Sequence, residues 1–157
     1  MELELEGVKL KVYESGEVHR LYKKGWILCK GTITKHGYKR IQIYGKCIQV
    51  HRIVYKAFNP DWDMDDTKQY VDHRNRIKND NRICNLRVGT SQQNQQNTNT
   101  KGYCWCNTWK RWIARIQIHN ASRTIKCKTE EEAIEAVKEL RAKYFEFYER
   151  TEIPEGE

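Results

Sequence analysis

Apolar and polar residues alternate along VKLKVY (8–13) and VHRLYK (18–23), with the turn-forming ESGE between them, which predicts a β-hairpin. GWILCKGTIT (25–34) and YKRIQIY (38–44) continue the alternation around Gly37 and Gly45, so residues 8–58 read as a β-rich module. The period then changes. HRIVYKAF (51–58) places Ile53, Val54, Ala57 and Phe58 on one side of a helix, and Asn59-Pro60 stops it. After the acidic link DWDMDD (61–66), QYVDH (69–73) predicts a short strand and LRV (86–88) another. Thr90 or Ser91 can cap a short helix through SQQNQQN (91–97), and the polar run that follows is a linker.

The C-terminal third has the clearest pattern. WKRWIARIQIH (109–119) sets Trp112, Ala114, Ile116 and Ile118 on one face of a strand and Arg111, Arg115 and Gln117 on the other. Asn120-Ala121-Ser122 reads as a turn, and RTIKCK (123–128) returns. Thr129 and Glu132 form a capping box, opening a helix with Ala133, Ile134, Val137, Leu140, Tyr144, Phe147 and Tyr148 at three-to-four spacing. That stripe is core packing. One helix covering a three-stranded antiparallel sheet leaves the opposite face to Arg111, Arg115 and one of Arg123 or Lys126. The expected class is α+β. Its modules are residues 1–60, 61–97 and 102–150, with a linker at 98–101 and an acidic tail at 151–157.

Charge sharpens this picture. The formal net charge is +8, and its distribution matters more than its size. Between Val18 and Pro60 there are ten Lys or Arg, among them Lys39 and Arg40, and no acid. Between Asn81 and Thr129 there are nine, again without an acid. Two acid-free basic stretches rich in Tyr and Trp are expected to face a polyanion, with nucleic acid the leading partner. No apolar run approaches the roughly 18 residues of a membrane helix, and the start lacks a basic-then-apolar signal pattern, so an intracellular protein is expected. The six cysteines include no C-x-x-C pair and are read as reduced packing thiols rather than zinc ligands.

The stretch VDHRNRIKNDNRICNLRVGTSQQN (71–94) has the residues for phosphodiester hydrolysis. The reaction needs a water activated near neutral pH, which suits His73, whose ordinary pKa is roughly 6.5. It also needs charge stabilised on the leaving oxygen. A hard cation held by carboxylate and amide oxygens does this, and Asp72 and Asn94 can supply them.

V-D-H, then D-N-R-x-x-N-L-R, then S-x-x-N resembles the motif of HNH endonucleases, particularly phage-type and intron-homing ones, and the likeness covers about residues 48–97. In that family the motif forms a strand ending in His, a loop, a second strand and a helix around a metal. The resemblance implies His73 as general base, Asp72 and Asn94 as ligands of one divalent ion (magnesium or manganese), and Asn85 orienting His73. Arg76 in the loop and Arg87 are expected on DNA. Residues 101–148 resemble the plant ethylene-response-factor (APETALA-type) DNA-binding domain, which implies that Arg111, Arg115, Arg123 and Lys126 read the major groove.

These features together predict a homing-type, site-specific DNA endonuclease acting on double-stranded DNA as a monomer or homodimer. The rival is a sequence-specific DNA-binding regulator that has lost catalysis. Neutralising roughly six to ten phosphates would cost about 10³–10⁵ in affinity between 50 and 200 mM salt.

Overall fold

The computed structural model describes residues 1–97, 100–118 and 121–147. The chain divides into two compact units that meet at Thr90 and Ser91. The expected boundary at residue 60 falls inside the first unit. The acidic tail at 151–157, the start of the linker at 98–99, Asn120 of the expected turn and Tyr148 of the helix stripe lie outside the described residues.

The first unit begins with four antiparallel strands in sequential order: β1 (Glu2–Leu5), β2 (Val8–Val12), β3 (Val18–Tyr22) and β4 (Gly25–Leu28). A second antiparallel sheet comprises β5 (Thr32–Ile33), β6 (Lys39–Ile43) and β7 (Lys46–Gln49). Tyr44 and Gly45, with φ of 44° and 81°, make the tight turn between β6 and β7, the mirror-image geometry that matches strand twist. Strands β1 and β7 were not foreseen. β1 alternates Glu with half-buried Leu3 and Leu5, so its acids mark the solvent face of a strand.

Helix α1 (Val50–Phe58) follows β7 directly, without a side-chain cap at Gln49. Burial of Val50, Ile53, Val54 and Ala57 at helical spacing holds it in place. At its far end Lys56 Nζ donates to the carbonyls of Pro60 and Trp62 at 2.7 and 2.6 Å, tying the following loop to the last helical turn. The hairpin β8 (Gln69–His73) and β9 (Leu86–Thr90) completes the unit. Leu86 is buried in the same core as Leu10, Val12, Ile43, Ile53 and Val54, with Val71 and Ile83 packed against it. The hairpin therefore shares one apolar core with the N-terminal sheets.

The second unit contains α2 (Ser91–Gln96), an antiparallel sheet of β10 (Tyr103–Cys106), β11 (Arg111–Ile118) and β12 (Ala121–Cys127), and helix α3 (Glu130–Tyr144). Thr129 caps the helix as expected, its Oγ1 accepting from Glu132 N at 3.2 Å, but the Glu132 carboxylate accepts from Lys128 N at 2.7 Å, one residue before the cap. Ala133, Ala136 and Val137 of α3 bury against Ala114 and Cys127, with Tyr103 and Trp112 alongside. No helix among the described residues is long and apolar enough to cross a membrane.

Candidate active site

β8 carries Asp72 and His73 at its end, and neighbouring strand residues point to opposite faces. The two side chains therefore meet different partners. His73 is 3% exposed and its ring lies edge-on to His51, 4.9 Å between centroids, with Tyr38 6.0 Å away. Burial lowers the His73 pKa below its ordinary value. A hydrogen bond with Asn81 and the charges of Asp72 and Asp80 oppose that shift without cancelling it. The imidazole is thus neutral at neutral pH, the state a general base requires.

Asn81 fixes which nitrogen is basic. Its Nδ2 donates to the Asn79 carbonyl at 3.1 Å, which turns Oδ1 toward His73 Nε2 at 3.2 Å. Oδ1 can only accept, so Nε2 carries the proton and the lone pair resides on Nδ1. The expected orienting residue was Asn85, and here the structure differs. Asn85 Oδ1 accepts from Asn75 N at 2.9 Å, and its Nδ2 donates to the Asp80 carbonyl at 2.8 Å. Asn85 thus ties the two ends of the loop together, and Asn81, which sequence reasoning missed, holds the base.

The loop between β8 and β9 is closed by local hydrogen bonds. Arg74 N donates to the Asn85 carbonyl at 2.8 Å, and Arg76 N to the His73 carbonyl at 3.0 Å. Asn75 Nδ2 reaches Asp80 Oδ2 at 2.7 Å, and Arg82 also pairs with that carboxylate at 2.7 Å. The Arg82 guanidinium holds the Asp80 carboxyl down at about 2. Arg76 has φ of 64°, so the chain reverses through a left-handed residue that is not glycine. The β2–β3 turn supports the loop from outside. Ile83 N donates to the Glu14 carbonyl at 3.0 Å, and a Cβ at Gly16 would come within 2.7 Å of the Asn81 backbone.

Asp72 is 8% exposed and faces its cross-strand partner Arg87, whose Nε and Nη2 each lie 3.1 Å from Oδ2. Arg87 was expected on a DNA-facing surface. It is instead 8% exposed, because the Asp72–Arg87 register turns it onto the carboxylate. Asn94 is exposed on α2, in the second unit. Among the described residues no three His, Cys, Asp or Glu side chains cluster as a metal site. The buried Asp72 carboxylate is a hard oxygen donor of the kind magnesium or manganese takes, with water and phosphate able to complete the shell.

The basic residues sort by face. Lys39 is half-buried and Arg40 exposed on β6, with Arg40 Nε 3.4 Å from Thr32 Oγ1; Arg76 is half-buried in the loop. In the C-terminal sheet the pairs Ile113↔Lys126 and Arg115↔Thr124 place Lys126 with Arg111 and Arg115 on the face away from α3. Arg123 departs from expectation. It pairs with Ile116 on the α3 face, and its guanidinium sits 5.7 Å from the Tyr144 ring centroid. A hollow of about 810 Å³ runs along the β10 edge of this sheet, lined by Gln92, Gln96, Trp105, Arg115 and Arg141, and Arg115 is the one base of the arginine face that borders it.

Residues 49–96 match the HNH endonuclease family, a span running from the start of α1 through Asp72, His73 and Asn94. The chain therefore carries an HNH endonuclease domain. A solved structure described as DNA binding and cleavage by the HNH homing endonuclease I-HmuI is similar over 91% of this chain and 86% of that one. Its sequence identity is 25% and its TM-score 0.50. No curated protein matches the chain.

Proposed function

We propose that the chain is a homing-type, site-specific DNA endonuclease in which His73 is the general base. The observation that carries this reading is the buried, neutral His73 held by Asn81 beside Asp72 at the end of β8. With Nε2 donating to Asn81, Nδ1 takes the proton of the attacking water, and the resulting imidazolium is stabilised by the Asp72 and Asp80 carboxylates. Asp72 would hold one divalent ion. When bound, such an ion supplies charge stabilisation at the scissile phosphate and leaving oxygen.

The basic surfaces would then hold duplex DNA. Arg40, Lys39 and Arg76 in the first unit and Arg111, Arg115 and Lys126 on the C-terminal sheet would contact phosphates and base edges. The family match ends at residue 96 and does not support the expected ethylene-response-factor likeness, so the C-terminal sheet would enter the major groove on the strength of its basic face alone. One such site cuts one strand per encounter, so a monomer nicks and a double-strand break needs a dimer or a second event.

Nicking of supercoiled plasmid carrying a randomised target library tests this, with the native chain beside His73→Ala at low salt in magnesium or EDTA. Magnesium-dependent nicking that is lost in His73→Ala is the expected result. Tight duplex binding by both proteins with no cutting in magnesium or manganese would instead identify a DNA-binding regulator.

A further inference from the structure

The contact between Arg87 and Asp72 bears on how the site takes up its ion. The two side chains face each other across the β8–β9 ladder and are 9% and 10% exposed, with Arg87 Nε and Nη2 each 3.1 Å from the same carboxylate oxygen, Oδ2. A guanidinium does not give up its proton, so its charge remains wherever the side chain is held. Here it is held against the one carboxylate that the proposed reading gives to the metal. An ordinary strand arginine would extend into solvent and cover apolar surface with its stem. The fork geometry and low exposure make this a fixed counter-ion.

We propose that Arg87 is a positioning residue that competes with the divalent ion for Asp72, orienting the carboxylate while keeping the metal affinity of the free chain low. The inference rests on Asp72 being a metal ligand. A dication arriving at Asp72 meets a unit positive charge within one side-chain width. Even at the dielectric of water, that repulsion amounts to about a tenfold loss in affinity, and to more at a site as enclosed as this one. Arg87, held at 3.1 Å from Asp72 Oδ2, is therefore an electrostatic opponent of metal binding at that carboxylate.

The test is Mn²⁺ binding to the full chain without DNA, read by electron paramagnetic resonance of free Mn²⁺, in four variants. Arg87→Gln keeps a hydrogen-bond donor near Asp72 and removes the charge, and it is expected to bind Mn²⁺ about tenfold more tightly or better. Arg87→Lys keeps the charge and loses the fork, and it should stay within about threefold of the native chain. Asp72→Asn should bind least, and Arg87→Gln with Asp72→Asn should lose the gain.

A folded Arg87→Gln that binds no tighter than the native chain overturns the competition and leaves the pair a structural one. Should Arg87→Gln unfold, Mn²⁺-driven refolding followed by circular dichroism reads the same affinity, and failure to refold in millimolar Mn²⁺ counts against the proposal. A different result would undo the underlying assignment: Asp72→Asn binding Mn²⁺ as well as the native chain removes Asp72 as a ligand, whatever Arg87 does.

Discussion

His73 Nε2 lies 3.2 Å from Asn81 Oδ1, eight residues along the same loop, and this bond selects the tautomer of the proposed base. Without it, a buried imidazole can present either nitrogen to the phosphate, and only one tautomer leaves Nδ1 able to take a proton.

Asn81→Ala is accordingly expected to lower the single-turnover nicking rate by roughly 10²-fold, the lower end of what a positioned general base contributes. Duplex affinity should stay unchanged, because Asn81 is 4% exposed and offers nothing to DNA. Asn85→Ala acts differently. It releases the Asn75 and Asp80 ties and should lower the melting temperature along with activity. Equal thermal losses in the two variants would show that Asn81 is only a loop staple.

Gly16 extends the same dependence into the β2–β3 turn. Its φ is +86°, and a Cβ there would meet the Asn81 carbonyl carbon and oxygen at 2.7 Å, a distance only displacement of that backbone can relieve. Gly16→Ala should therefore reduce nicking about tenfold or more, since small misplacements of catalytic groups are costly. Restored activity in the same assay at the native level would show that the loop yields freely.

Much of this arrangement was legible in the chain, and the remainder was set by register and loop path. The α1 stripe, β8, the start of β9 and the Thr129 cap follow from local periodicity and capping chemistry. The choice between Asn81 and Asn85 does not, because both stand in one polar run, and a left-handed Arg76 and the close approach of Gly16 decide which reaches His73. Arg87 likewise looks like a surface base until the pairing puts Asp72 opposite it. Arg123 and Lys126 are an odd number apart on one strand, so they could never share a face; only the pairing with β11 shows that Arg123 takes the helix side. β1 was obscured because its acids read as composition before they read as alternation.

The base should also define the acid limb of activity. Because burial lowers the His73 pKa, the nicking rate should fall with decreasing pH through a midpoint below the ordinary 6.5, with a slope of one proton. A midpoint above that value would mean that the DNA-bound site stabilises imidazolium more than burial opposes it, and would remove the neutral base from the free chain's description.

His51 makes stability depend on pH in the same direction. Burial is the main reason its pKa is held at about 3, against 6.5 for an ordinary imidazole, with the charge of His73 next. Its folded-state pKa is depressed, so below 6.5 the unfolded chain binds a proton that the folded one does not. The stability this contributes is present at neutral pH and is lost as pH falls toward 3. Between pH 7 and pH 5 the loss is about 2 kcal/mol from this residue alone. His51→Phe, which keeps a ring beside Tyr38 and His73, should flatten that part of the profile in urea titrations at the two pH values. An unchanged pH dependence would show that the buried ring is not what titrates.

The last prediction separates the two faces of the C-terminal sheet. Arg115 is exposed on the face away from α3, with Arg111 and Lys126, whereas Arg123 lies against Tyr144 on the α3 side. If the open face reads DNA, Arg115→Ala should cost about 1–3 kcal/mol of specific affinity, and loss of a phosphate contact at Lys126 should reduce the salt slope by roughly one. Arg123→Ala should cost little affinity and should act through α3, where the cation–aromatic contact contributes about 0.5–1 kcal/mol to stability. Fluorescence anisotropy at three salt concentrations, paired with thermal melts, distinguishes these effects. A large affinity loss at Arg123 with none at Arg115 would place the DNA on the helix side and overturn the assignment of the arginine face.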